Sequence, residues 1–236
     1  MSTSQGISLL PCTPTDFPTL AALESVVFYH DEFSIVAFGP ERASAENLAI
    51  RTQGFHKTLE PESQKSTEYF KAVNESGEIV GWSSWSFVHG GKNGEGDGVW
   101  SGKGEKLVKK DIEEDSGGWG VSANVRFCEE VFLVADEWMV ESTKGEPYAK
   151  LNVLIVSPSL QRRGIGTLML SEGLKEVDRR GLQCVLGASP EGAGLYEKIG
   201  FKEVGSMELK LWEYEGGEGM GMTRHGVMHR PAVVVK

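Results

Sequence analysis

The stretch of this chain whose residue types and spacing best suit chemistry is Gln161-Arg162-Arg163-Gly164-Ile165-Gly166-Thr167. It follows a nearly unbroken apolar run, Lys150 to Val156, and a Ser157-Pro158 turn. It opens a helical pattern carried by Ile165, Leu168, Met169, Leu170, Leu174 and Val177. Strand, glycine-rich turn and helix start, in that order, make an anion trap. Unpaired backbone N–H groups and the positive end of the helix dipole meet at a helix N-terminus, where a pyrophosphate binds well. Gly164 and Gly166 put no side chain in the way of a close approach, and Arg162 and Arg163 add charge. Two other phosphate motifs fail here. No GxxxxGK[ST] is present, and a dinucleotide fingerprint would need a third glycine where Met169 stands. The turn by itself is also compatible with a glycine-rich connection that binds nothing.

Several elements must hold that turn in place. Ile7 to Leu10 reads as a first strand, and Pro14 to Phe28 as a helix capped by Thr13 or Thr15. Residues 41 to 59 form a weaker amphipathic helix, frayed near Gly54. Glu68 to Val73 and Ile79 to Val88 read as two strands joined by the turn Asn74-Glu75-Ser76-Gly77; alternation puts Trp82 opposite Trp85 and Phe87. Val121 to Glu141 returns to helical spacing. After the strand 150–156 and the helix 163–180, which stops at Gly181, Leu182 to Leu186 is another short strand and AGLYEKIG a short helix. Residues 223–235 end the chain as a strand-like segment. No repeat or linker divides it, so a single domain spanning 1–236 is expected.

Composition removes whole classes of function. The net charge is −10, from 24 Lys and Arg against 34 Asp and Glu, which argues against nucleic acid as a partner. No 18-residue apolar window and no basic leader are present, so neither a membrane span nor a signal peptide is expected. Cys12, Cys128 and Cys184 form no CxxC and no zinc spacing, which suits packed thiols in a reducing, cytoplasmic setting with no metal. Glycine is in excess, at 30 residues, against a usual share of about 7%. Ten lie between positions 90 and 120 and four more at 216, 217, 219 and 221. The insertion at 89–120 therefore reads as a long loop, expected to act as a lid.

Two motifs in succession resemble the GCN5-related N-acetyltransferase (GNAT) superfamily. The first is Val156-x-Pro158-x-x-Gln161-Arg162-Arg163-Gly164-Ile165-Gly166, and the second is Leu195-Tyr196-Glu197-Lys198-x-Gly200-Phe201. The wording SPEG-x-x-LYEKIGF is particularly like that of fungal members. The resemblance implies a mixed α/β fold with a central, mostly antiparallel sheet, splayed at the acetyl-CoA strand and flanked by helices. It implies an acetyl-CoA-dependent acyltransferase that uses no metal.

Carried over position by position, the resemblance puts the backbone of Leu154, Ile155 and Val156 along the pantetheine arm. Gln161, Arg162, Arg163, Gly164, Ile165, Gly166 and Thr167 surround the pyrophosphate. Tyr196 would protonate the departing thiolate; a phenol, with an ordinary pKa near 10, can do so. Ser189 stands where many members carry an asparagine that touches the cofactor, and Cys184 where some place a glutamate base. Cys184 is therefore expected to be a packed residue. An alkylammonium must lose a proton before it can attack, and the candidate bases are Glu129, Glu130, Asp136, Glu137, Glu141 and Glu191. Glu130 and Glu137 lie one heptad apart and would share a helix face. His89 could reach the site, while His225 and His229 read as ordinary strand residues. The expected acceptor is a small-molecule amine and the expected state a monomer or homodimer. The alternatives are an acyl-CoA sensor without turnover and a protein or peptide N-acetyltransferase.

Overall fold

The computed structural model describes residues 3–4, 6–60, 65–89 and 119–233. Strands β1 (Thr3–Ser4), β2 (Ile7–Pro11), β3 (Lys65–Val73), β4 (Ile79–Val88), β5 (Tyr148–Val156), β6 (Gln183–Ala188), β7 (Lys202–Lys210) and β8 (Met222–Arg230) form one sheet in the order β1-β2-β3-β4-β5-β6-β8-β7. The pairings are antiparallel except that of β5 with β6. The helices are α1 (Phe17–Val27), α2 (Glu32–Phe38), α3 (Ala45–Lys57), α4 (Val125–Cys128), α5 (Val134–Thr143), α6 (Ile165–Arg179) and α7 (Pro190–Lys198). This is the mixed α/β architecture expected from the sequence.

Strand alternation decides which helix covers what. On one face of the sheet Trp85 and Phe87 from β4, Leu151 from β5 and Leu186 from β6 pack with Leu170, Leu174 and Val177 of α6 and Tyr196 of α7. Trp82, three residues before Trp85, points the other way and packs with Phe17 and Leu20 of α1 and Phe55 of α3. Farther along that second face, Ala135 and Met139 of α5 cover Val185 and Val227. Between the α1/α3 cover and the α5 cover, β4 and β5 present Ser84, Ser86, Lys150 and Asn152 instead of an apolar row. The sheet is therefore polar at its centre on this face alone.

Two local features depart from the simple pattern. The segment 121–141 is not one α-helix: α4 passes into a π-helical turn, Glu129–Leu133, before α5 begins. The extra residue in that turn puts everything downstream out of phase with an unbroken 3.6-residue period. Two elements, α2 and β7, add to those expected from the sequence. Of the insertion 89–120, only His89, Trp119 and Gly120 fall among the described residues, and the expectation of a lid lies outside them.

Candidate functional site

The sheet opens between β5 and β6. These strands pair from Tyr148↔Gln183 to Leu151↔Leu186 and no farther. Beyond that rung β5 continues to Val156 beside β4, while β6 reaches Ala188 beside β8. One edge of residues 152–156 thus has no strand against it in the middle of an eight-stranded sheet. A β-bulge marks the same place. Trp85 pairs with Leu151 and Ser84 with Val153, so Asn152 is the extra residue and has no register partner on either side. Its side-chain amide donates to Ser86 Oγ at 2.9 Å and Ser84 Oγ at 3.2 Å. Asn152 is nevertheless exposed, so a cleft lies above the sheet there.

The open edge leads straight into the glycine turn. Gln161 Nε2 donates to the Val156 carbonyl at 3.1 Å and ties the turn to the strand end. Arg162 and Gly164 both take left-handed conformations, with φ of 61° and 83°. Gly164 is the N-cap of α6, and no side chain caps that helix. Leu168 N–H donates to the Gly164 carbonyl at 2.9 Å, so the amides of Ile165, Gly166 and Thr167 precede the first helical bond. A Cβ built on Gly164 would have nothing within 4 Å. The space above the turn is clear. Arg162 and Arg163 are exposed and have no ion-pair partner among the described residues. An unpaired strand edge running into an uncapped helix start with clear space and free cations fits a pantetheine–pyrophosphate chain. The Ile155 and Val156 side chains are buried, so what these two residues present along the open edge is backbone.

Tyr196, on α7, is 8% exposed and its ring meets Phe201 edge-on at 5.9 Å. Burial pushes its hydroxyl up to about 12, with Cys184 nearby adding to the effect. The phenol is therefore protonated throughout the neutral range, as a proton donor must be. Cys184 is fully buried on β6 in the same cluster, and burial pushes its thiol up to about 12. It is packed as expected, and too weakly ionised for an acetyl-cysteine route. Ser189 caps α7, its Oγ accepting from Gly192 N–H at 3.3 Å. The hydroxyl proton stays available to a ligand.

The candidate bases scatter. Glu130 accepts from Arg126 Nε and from the Tyr214 hydroxyl, both at 2.8 Å, and these partners hold its carboxyl below the usual range. Glu137 is exposed on α5. The structure does not bring the two together, because the π-helical turn between them rotates Glu137 off the heptad face. Glu129, Glu141 and Glu191 are exposed as well. Asp136 differs: it faces β5 and pairs with Lys150, both side chains less than one-fifth exposed. Trp82, Trp85 and Phe87 are buried in the core, and His89 is exposed at the end of β4.

His229 fits the ordinary reading, with Nε2 2.7 Å from Gln183 Oε1. His225 does not. Its ring stacks on Phe33 of α2 at 5.7 Å and meets Phe132 edge-on at 6.1 Å. Its Nε2 lies 2.7 Å from where a Cβ on Gly187 would be. Gly187 follows Leu186, so it and Asn152 flank the first open rung of the sheet. Sequence spacing contained no signal for this meeting, which depends on β8 lying beside β6.

Residues 138–211 match a family model described as an acetyltransferase (GNAT) domain. No curated protein sequence matches the chain. Among solved structures, the chain is similar to arylalkylamine N-acetyltransferase 2 from Aedes aegypti, with 12% identity and a TM-score of 0.61 over 96% of this chain and 99% of that one. The histone acetyltransferase HPA2 and related acetyltransferase of Corynebacterium glutamicum ATCC 13032 gives 18% and 0.59, over 98% and 99%. The ribosomal-protein-S18-alanine N-acetyltransferase of Escherichia coli gives 13% and 0.50, over 98% and 96%. The fold is the GNAT fold, and the family match over residues 138–211 is to an acetyltransferase domain, which supports an acyltransferase. Among the described residues no helix is long and apolar enough to cross a membrane.

Proposed function

We propose that the chain is a single N-acetyltransferase domain that transfers the acetyl group of acetyl-CoA to the primary amine of a small molecule. The observation that carries this reading is the free edge of β5 at residues 152–156, which ends at the uncapped start of α6. When bound, acetyl-CoA supplies an activated thioester carbonyl. The backbone of Leu154, Ile155 and Val156 holds the pantetheine arm. The turn from Gln161 to Thr167 holds the pyrophosphate, chiefly through backbone N–H groups, and Ser189 donates a further hydrogen bond. The free backbone groups around Asn152 orient and polarise the carbonyl. Tyr196 gives its proton to the sulfur as it leaves.

A small amine is favoured by the form of the cleft floor. Asn152 stands exposed between two serines, with Asp136 facing the same strand, and the rings of Phe33 and Phe132 lie beyond. A net charge of −10 also draws cations. A cytoplasmic setting is consistent with the unpaired thiols, and the SPEG-x-x-LYEKIGF wording remains like that of fungal members. The test is thiol release from acetyl-CoA with 2-phenylethylamine, tyramine and spermidine as acceptors. Turnover is expected with at least one of them. Thermal stabilisation by acetyl-CoA without turnover on any amine or peptide would make the chain a binder and sink the proposal.

A further inference from the structure

We infer that His225 is the catalytic proton acceptor of the acetyl transfer, taking a proton at Nε2 from the attacking amine at the first open rung between β5 and β6. The inference rests on the acetyltransferase reading above. Three observations place this imidazole where such a group is needed. The first is position: Nε2 covers Gly187, 2.7 Å from the site of its missing Cβ, and Gly187 stands across the gap from exposed Asn152. The second is availability. Nearly every polar side chain around this face is engaged: Lys150 by Asp136, Ser84 and Ser86 by Asn152, and Gln183 by His229. The His225 ring is held by aromatic contacts with Phe33 and Phe132 and makes no hydrogen bond among the described residues. Both nitrogens are left for a ligand or water. The third is protonation state.

The groups packed on the ring can be named element by element. Phe33 of α2, Phe132 of the π-helical turn and Gly187 of β6 lie against it, Met139 of α5 stands over the same glycine, and Asp136 of α5 and Lys150 of β5 act on it through their charges. Only Asp136 and Lys150 carry charge, and they largely cancel because they pair with each other. Desolvation therefore dominates and pushes the imidazole down to about 4, with Asp136 opposing and Lys150 assisting. The ring is neutral at pH 7, with a lone pair to offer.

The transfer balances as follows. The amine binds as the free base, its ammonium proton having gone to solvent. Its lone pair forms the N–C bond to the acetyl carbon, one N–H proton passes to His225 Nε2, and the C–S bond breaks with its electron pair on sulfur. The Tyr196 hydroxyl protonates that sulfur, and water returns both side chains to their starting states. A low imidazole pKa does not prevent this, because the amine nitrogen becomes far more acidic as the N–C bond forms. The neutral base is then always ready, and transfer occurs only once bonding has begun.

The experiment compares wild-type protein with His225→Gln and His225→Ala in the thiol-release assay, using whichever of 2-phenylethylamine, tyramine and spermidine the wild type accepts. The expected result is a fall in kcat of about 100-fold or more, with an unchanged KM for acetyl-CoA and partial rescue of His225→Ala by added imidazole. Unchanged acetyl-CoA binding by both variants establishes that they fold. Full activity of His225→Gln, or a loss in both variants without any imidazole rescue, overturns this inference while leaving the acetyltransferase reading in place. A wild type that releases no thiol overturns both.

Discussion

His225 occupies the space that a side chain at position 187 would need: a Cβ on Gly187 would lie 2.7 Å from Nε2 and 3.0 Å from Cε1. Glycine is therefore required on the α5 side of β6 by a partner on β8, although its own φ is not in the left-handed region. Gly187→Ala should push the ring away from the gap without touching the glycine turn at 161–167. The expected outcome is a kcat reduced by about 10-fold or more with an unchanged KM for acetyl-CoA, read by steady-state kinetics. A variant with wild-type kcat would show that the ring can shift without consequence, and that its position over Gly187 does not serve the chemistry.

The same burial makes His225 a liability in acid. Its ordinary pKa of 6.5 falls to about 4 in the folded chain, so between these values the unfolded chain binds a proton that the folded chain does not. More protons bound by the unfolded state means stability that rises with pH. This contribution is fully present above 6.5 and is lost as the pH falls through 4. His229 is shifted in the same direction, also by desolvation. His225→Gln should flatten the decline in Tm between pH 6.5 and 4 relative to the wild type. Parallel Tm curves for the two proteins would mean that His225 titrates like a solvent-exposed histidine.

Gly164 is constrained by backbone conformation and not by crowding. At φ of 83° a residue with a Cβ loses about 1–2 kcal/mol, yet that Cβ would meet no protein atom within 4 Å. Gly164→Val should therefore cost little in fold stability beyond this strain. Its main effect should be on the anion site, by reorienting the first amides of α6 and filling the clear space above them. A KM for acetyl-CoA raised at least 10-fold is expected, with a Tm lowered by a few degrees. An unchanged KM would remove the pyrophosphate from this turn.

That turn was legible in the sequence because everything that makes it is local. A strand, two glycines and a helix start lie within about 20 consecutive residues, and each is set by its neighbours. The alternation of Trp82 against Trp85 and Phe87 was legible for the same reason. What escaped were consequences of distant pairing. β8 inserts between β6 and β7, and only that order brings His225 over Gly187. The heptad relation of Glu130 to Glu137 failed on one extra residue in a π-helical turn, which leaves no mark in hydrophobic spacing. Asn152 has no signal in the sequence, where it is one polar residue in an apolar run; only the bulge and the open rung set it apart.

Gly173 tests the packing that holds the gap open from the other side. It lies on α6 where a Cβ would be 2.1 Å from Trp85 Cζ2 and 2.3 Å from Cε2. Trp85 is fully buried and its indole N–H donates to Ser83 Oγ at 3.1 Å, so the ring has nowhere to retreat. Gly173→Ala gains helix propensity of up to about 1 kcal/mol and loses more by overpacking, about 1–3 kcal/mol. A lower urea midpoint with an unchanged m-value is expected. A rise in stability would mean that α6 can lift off β4 at little cost.

Tyr196 separates catalysis from packing most cleanly. Its ring is held by Phe201 and by the cluster around Leu186 and Met228, and its hydroxyl makes no hydrogen bond among the described residues. Tyr196→Phe keeps all of the ring contacts, so the Tm should hold within about a degree and the KM for acetyl-CoA should not change. If the hydroxyl delivers a proton to sulfur, kcat should fall by about 10- to 100-fold, less than the general range for acid catalysis because water can substitute in part. The loss should shrink with an acyl donor whose thiol is more acidic, since such a thiolate leaves without help. An equal loss with both donors would assign the hydroxyl to positioning, and an unaltered kcat would leave Tyr196 as a core residue.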